Sequence, residues 1–394
     1  MIRGKVAIVG IGQTEFVKAS PKSAWELAME AVLAALADAG VDPAEVDGMC
    51  RYTPPFEPVS EPMLVRGLGI RELRFFSEAP LGGEALGAVM AHGASAIVSG
   101  QASVVVAYRA MSQSVGGRFG RADGRPGGAD GGTHIVVPEE ENRSFSWPYG
   151  LMSPGQLFAL WATRYMHVHR LSEEDLARAL GTVALQQRRY ANNNPCALMR
   201  DRRLDWETYL GARVISWPLR LFDLCLENDG ACAVVLTGTE RARALRADPV
   251  YLLAATQTLA PYREPMGIYT EDLLELFTPA AAARLWQGAG VGPGDVSVAE
   301  LYDATSFMTM KSLEGYGFAA EGQGWKYLIE EGIGPDAPLP VNTHGGHLSE
   351  GYIHGMNGLT EAVRQLRGTA CNQVPDASVA LVGAPSGSAV VLAR

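Results

Sequence analysis

The segment AGVDPAEVD at Ala39–Asp47 recurs as AGVGPGDVS at Ala289–Ser297, identical at five of nine positions and offset by 250 residues. Each copy follows an apolar helical stretch, SAWELAMEAVLAALAD or TPAAAARLWQGA, in which small and apolar residues return at three- and four-residue spacing. Each runs into Gly-Val-x-Pro, which stops a helix and turns the chain. Such a long period, kept together with its context, reads as two similar halves.

A second correspondence lies further along each half. Gly82–Ser99 reads as a helix of small residues followed by the strand ASVVVAY, and HGMNGLTEAVRQLRG as a helix followed by ASVALVGA and GSAVVLAR. Continuous β-branched runs bounded by such helices predict strands buried on both faces. With 394 residues the chain can hold two core-forming units. The reading is an α/β protein of two duplicated βα halves, with helices between and outside the sheets. Residues 1–115 and 222–248 form the first half, 116–221 a loop and helical insertion, and 249–394 the second half. Within the insertion, Gly116–Gly150 is rich in Gly, Arg and Asp and predicts a long surface loop. Ser153–Tyr209 reads as helices that serve either as a lid or partner surface or as a plain packing layer. The run GACAVVLTG at Gly230–Gly238 is expected to return the chain to the first sheet.

The charge balance removes one class of function. With 33 basic and 43 acidic residues the formal net charge is −10, and no basic face is available to neutralise nucleic-acid phosphates. The N-terminal apolar run breaks at Gly10-Ile11-Gly12, too short for a signal peptide or membrane span, so a cytoplasmic location is expected. Five scattered cysteines without a Cys-x-x-Cys pair fit neither a disulfide framework nor a zinc ribbon. Gly10-Ile11-Gly12 lacks the third glycine of a dinucleotide site. Gly93 to Ile97 lacks the second glycine of a nucleophile elbow.

Three segments, EAPLGGEALGAV, AELYDATSFM and NTHGGHLSEGYIHGMNG, give the chain a specific likeness. Together with the repeated halves and the insertion, they resemble the thiolase superfamily along essentially the whole length, in its lipid-transfer or sterol-carrier type. The resemblance implies a thiolase-like fold in a layered αβαβα arrangement. The place of the thiolase nucleophilic cysteine falls on Ala79, or on Pro80 if the register slips by one. Tyr302 stands where lipid-transfer thiolases carry a histidine. Asn342, Gly345 and Gly346 are kept, but Tyr352 follows Gly351 where a histidine is expected. The C-terminal loop VGAPSGSA has no cysteine.

Thiolysis needs a thiolate and a base to activate it, and these places supply neither. Two phenols remain beside a thioester site, and a phenol can act as general acid or base. Removing one proton and delivering another beside a thioester enolate is the chemistry of an aldol cleavage. The resemblance extends to the lipid-transfer-like aldolases of bacterial steroid side-chain degradation. It implies cleavage of a 17-hydroxy steroid acyl-CoA to a 17-ketosteroid and propionyl-CoA, without a covalent intermediate. Tyr302 and Tyr352 would be the acid–base pair, with Asp303 supporting them. His344, His347, Gly345, Gly346 and Ala79 would form the supporting or oxyanion shell.

No cofactor is expected, since CoA is part of the substrate. The resemblance also implies a homodimer and a partner bearing a DUF35 domain, forming a hetero-oligomer. The aliphatic run ASVVVAY is the expected edge through which first halves pair. The competing reading is a non-catalytic acyl-CoA or lipid-transfer scaffold, in which each tyrosine is a packing residue with its hydroxyl satisfied. A metal site at His344, His347, Glu350 and His354 is disfavoured, because intervening glycines place the histidines on a loop.

Overall fold

In both copies of the repeat a helix ends at a left-handed glycine and the chain turns into a strand. Ser23 and Glu26 form a capping box at the start of the helix Ala24–Ala39, which stops at Gly40 with φ 65°. Asp42 caps a short turn at Pro43–Glu45, from which the strand Gly48–Tyr52 leaves. The second copy repeats this with the helix Pro279–Ala289, Gly290 at φ 68°, a turn at Pro293–Asp295 and the strand Val298–Leu301. The computed structural model describes residues 2–52, 59–79, 82–116, 147–245, 248–258, 273–274 and 279–394. Pro80 and most of the Gly/Arg-rich stretch at 116–150, Arg118 to Arg125 included, lie outside them.

The strands are β1 (Val6–Gln13), β2 (Gly48–Tyr52), β3 (Phe75–Ala79), β4 (Val104–Ser112), β5 (Val214–Ser216), β6 (Leu219–Arg220), β7 (Asp229–Gly238), β8 (Val250–Thr256), β9 (Val298–Leu301), β10 (Val379–Gly383) and β11 (Ala389–Ala393). Nine of them run in the order β3-β2-β4-β7-β1-β8-β11-β10-β9, while β5 and β6 form a separate hairpin. The order contains the duplication. In the first half β2 runs parallel to β4, which is antiparallel to β7, which is antiparallel to β1. In the second half β9, β10, β11 and β8 repeat those relations in turn. The place of β3, parallel to β2, is reduced in the second half to a single parallel bridge from Ala299 to Val341.

Only two residue pairs, Ala7 with Tyr251 and Ile8 with Val250, join the halves between β1 and β8. The sheets are stacked instead through two central helices, Leu86–Val98 and Met356–Arg367, each touching strands of both halves. Ala24–Ala39 covers the outer face of β1, β7 and β4, and Pro279–Ala289 covers β8 and β11. This is the five-layered αβαβα thiolase-like arrangement. Gly10 and Gly12 serve helix packing, because a Cβ on either would lie 2.0 Å from a backbone oxygen of Ala35 or Ala31.

One expectation is corrected. β4, which carries ASVVVAY, is not an edge; it is hydrogen-bonded on both sides, to β2 and β7, and eight of its nine residues are buried. The apolar run that suggested an aggregation-prone edge is that of a strand shielded on both faces. The edge of the first half is β3, where Phe76 is 67% exposed. Within the insertion, Pro154–His169 and Glu173–Asn193 are helical, and the second of these packs on helices of the second half. Its buried face fits the packing-layer alternative.

Candidate active site

The site forms where the second half's strand ends meet the Gly-rich loop before the helix Met356–Arg367. Asn342, at φ 54°, accepts from Leu301 N–H at 2.7 Å and donates to Leu301 C=O at 2.9 Å. Tyr302 N–H donates to Gly383 C=O at 2.8 Å. These bonds hold the end of β9 so that the Tyr302 ring projects onto Gly83, where a Cβ would stand 1.9 Å from the ring. Tyr352 is fixed from the first half, its N–H donating to Asn228 Oδ1 at 2.6 Å.

Tyr302 and Tyr352 meet directly. Their hydroxyl oxygens are 2.6 Å apart, and the residues are 8% and 6% exposed. The His347 ring stands edge-on to both, 5.1 Å from each ring centre, and His354 stands edge-on to Tyr352 at 4.9 Å. Burial raises the Tyr352 phenol above its usual range, with the Tyr302 hydrogen bond and Arg109 opposing. Burial, Arg109 and His347 push His354 well below the ordinary imidazole value, so it is neutral at pH 7.

Of the other expected site residues, Asp303, His344 and His347 line the same cavity as Tyr302. Asp303 accepts from the backbone N–H of His347 at 2.9 Å and stands 2.9 Å from His347 Nδ1. Gly355 N–H donates to His347 Nε2 at 3.1 Å. Gly345 N–H donates to Asn342 C=O, and its α-carbon abuts Ala191 of the insertion. Gly346 lies against Asp303 and Gln187, where a side chain would collide. The N–H groups of His347 and Gly345 are thus bound within the fold, where they build the floor under the phenols. His344 faces carboxylates, 2.9 Å from Glu300 and 3.7 Å from Glu350. Ala79 closes β3 beside Tyr52 and offers only a methyl group.

Other members were not legible as site residues. Asn194 of the insertion donates to His344 C=O at 2.9 Å and to Glu350 at 3.1 Å. Asn357 donates to Glu350 at 2.8 Å. Cys225, distant in sequence from the three motif segments, hydrogen-bonds through its N–H to Ala304 C=O. Burial, with Asp303 and Glu227, pushes its thiol up, so it stays protonated and is a poor nucleophile. Among the described residues no group of three or more His, Cys, Asp or Glu side chains is arranged to hold a metal ion, and no helix is long and apolar enough to cross a membrane. The arrangement suits proton transfer: two phenols in direct contact, largely shielded from water, with no ionised thiol beside them among the described residues.

Residues 266–391 match the thiolase C-terminal domain-like family. The chain is 41% identical to the 17-hydroxy-3-oxo-4-pregnene-20-carboxyl-CoA lyase of Mycobacterium tuberculosis, over 98% of both chains. It is 38% identical to the steroid side-chain-cleaving aldolase of Thermomonospora curvata, over 98% of this chain and 96% of that one. The solved Ltp2-ChsH2(DUF35) aldolase superposes with a TM-score of 0.89 at 37% identity, covering 100% of this chain and 99% of that one. The chain belongs to the thiolase superfamily, in the lipid-transfer and sterol-carrier-type branch that includes the steroid side-chain-cleaving aldolases.

Proposed function

We propose that the chain is an aldolase that cleaves the Cα–Cβ bond of a β-hydroxyacyl-CoA, a 17-hydroxy steroid 20-carboxyl-CoA giving a 17-ketosteroid and propionyl-CoA. The observation that carries the reading is the buried 2.6 Å contact between the phenols of Tyr302 and Tyr352. One tyrosine, in its phenolate form, takes the proton of the β-hydroxyl, and the O–H electrons become the new C=O. The Cα–Cβ pair passes into the thioester enolate, and the other phenol protonates that enolate at carbon. A proton crossing the shared hydrogen bond restores both tyrosines. Asp303 and His347 orient the rings. CoA arrives with the substrate, and no other cofactor enters the scheme.

The assembly we propose is cytoplasmic: a homodimer formed through β3, with a DUF35-domain partner added outside it. The names of the M. tuberculosis and T. curvata relatives and of the Ltp2-ChsH2(DUF35) aldolase support the substrate class and the partner. The test is mass spectrometry of 17-hydroxy-3-oxo-4-pregnene-20-carboxyl-CoA incubated with the chain, with and without a DUF35 protein. Release of propionyl-CoA with the 17-ketosteroid is the expected result. Binding without turnover in both mixtures would leave the transfer-scaffold reading.

A further inference from the structure

Tyr302 lines a cavity of about 10 Å³ for the centre of a water-sized sphere, together with Glu300, Asp303, Asn342, His344 and His347. That is room for about one water molecule. Glu300 and His344 are each 2% exposed. Glu300 Oε2 and both ring nitrogens of His344 lack an aligned hydrogen bond among the described residues, although Nδ1 stands 2.9 Å from Oε2. Buried polar atoms in native folds are seldom left so. The neighbouring carboxylates are better served: Glu350 accepts from Asn194 and Asn357, and Glu361 accepts from Gln365. Glu300 Oε1 accepts from Thr343, and beyond His344 Nδ1 its Oε2 has no partner among the described residues.

Two phenols sharing one hydrogen bond begin with two protons, and one must leave before the pair can act as a base. With Tyr302 and Tyr352 nearly closed to solvent, that proton needs an acceptor inside the fold. We propose that Glu300 and His344 are positioning residues that hold this proton: Tyr302 releases it to a water in the cavity, and the water passes one of its own to Glu300 Oε2. The imidazolium of His344 fixes the carboxylate and balances its charge. Only O–H bonds form and break: the pair keeps one proton through each turnover, and the same water returns the second to the ionised phenol when the site comes to rest. This inference rests on the retro-aldol reading of the site.

The charges facing the pair favour the role. Burial raises the Glu300 carboxyl, with His344 opposing and Glu361 adding to the rise, so its proton affinity moves toward that of a phenol. Burial alone would lower His344, but Glu350, Glu300 and Glu361 outweigh it and keep the ring charged at neutral pH. The remaining ionisable neighbours are Arg364, whose Nη1 lies 3.5 Å from Glu361, and Tyr190, which the Glu300 charge raises after burial.

The experiment measures kcat and KM against pH for Glu300→Gln and His344→Gln in the complex with a DUF35 partner. Glu300→Gln is expected to lower kcat about ten-fold with KM nearly unchanged, and to remove the acid limb of the kcat profile. His344→Gln is expected to move that limb to higher pH, since a lost positive neighbour raises the carboxyl. Wild-type pH profiles in both folded variants would overturn the proposal. Should the variants not fold, the His344 ring is titrated by NMR in the isotope-labelled wild type and in Tyr302→Phe. A midpoint shift of about half a pH unit or more supports the coupling, and identical midpoints overturn it. Absence of turnover by the wild type itself would instead count against the retro-aldol reading, and the NMR comparison would still decide the coupling.

Discussion

The two halves place the same construction at the site: a strand end, a glycine-containing loop and a central helix. In the first half β3 ends at Ala79, and Gly82 and Gly83 lead to the helix Leu86–Val98. In the second, Val341 occupies the place of β3, and the loop Asn342–Gly355 leads to Met356–Arg367. The contents are opposite. The second loop carries His344, His347, Glu350, Tyr352 and His354, all buried, whereas the described side chains of the first are those of alanine, with glycine at 82 and 83. Gly82 faces His354, and Gly83 lies under the Tyr302 ring. Duplication supplied two equivalent loops, and here one provides the room that the side chains of the other occupy.

That division can be broken from the second half. If the phenols transfer protons, Tyr302→Phe or Tyr352→Phe removes one oxygen, keeps the ring, and lowers turnover roughly 10²-fold or more with little change in thermal stability. If the tyrosines only pack, Phe is tolerated kinetically. The corresponding Ala variants would cost roughly 3–5 kcal/mol in either case, through the cavity left behind. Steady-state kinetics beside thermal melts separate the two readings.

Breaking it from the first half should cost less. A Cβ at Gly83 would stand 1.9 Å from Tyr302 Cε2, so Gly83→Ala forces the ring or its loop to move. Overpacking of this kind costs about 1–3 kcal/mol, and turnover should fall with the displaced phenol. Gly294→Ala is the control: no atom lies within 4 Å of its Cβ, and its stability should stay within about 0.5 kcal/mol of the parent. Equal melting temperatures for the two variants would show that Gly83 is not the cradle of Tyr302.

The histidines of the second loop give a pH signature. His354 has its folded value depressed by burial, Arg109 and His347, so below an unfolded value near ~6.5 the unfolded chain binds the extra proton. Stability should therefore fall by up to about 1.4 kcal/mol per pH unit on acidification from that point. His344 acts in the opposite sense. Its folded value is raised, so its contribution is complete below ~6.5 and is lost as pH rises toward about 10. Denaturant melts of His354→Asn across pH 5 to 7 should show a flatter acid slope than the parent; an unchanged slope would assign the loss to other groups.

The duplication was readable because helix stop, turn and strand recur in fixed order around Ala39–Asp47 and Ala289–Ser297, and the topology repeats with them. The layers followed from apolar runs without alternation, as in β7, where nine of ten residues are buried. The same run in β4 was misread as an edge, because an apolar strand reports burial but not which strands flank it. Tyr302 and Tyr352 could be singled out because each stands at a place a motif fixes. Their 2.6 Å contact could not be read, being set by Asn342 of the segment that carries Tyr352 and by Gly383 and Asn228 from two others. The cluster around His344 was hidden for a similar reason. Glu300, Glu350, Glu361 and Asn194 are ordinary polar residues in sequence, and only the packing of the insertion on the second half buries them together.

The smallest expected effect sharpens the comparison most, because it asks whether the emptied loop can be refilled. Ala79→Cys places a thiol at the end of β3, where the side chain is 1% exposed and the neighbouring pair is Tyr52 of β2. Burial of a thiol favours its neutral form, as it does for Cys50 in β2, which is pushed up to about 12. A nucleophile there also needs a base within hydrogen-bond reach, and a phenol is mostly protonated at neutral pH. The variant should fold, since one sulfur is a small addition, and acetoacetyl-CoA thiolysis should stay at the parent's background. Trapping with a thiol-reactive acylating analogue, followed by intact-mass measurement, provides an independent reading, and no adduct at residue 79 is expected. Thiolysis above background from this single change would mean that the first loop retains a working nucleophile site, and that the contrast between the halves has been drawn in the wrong place.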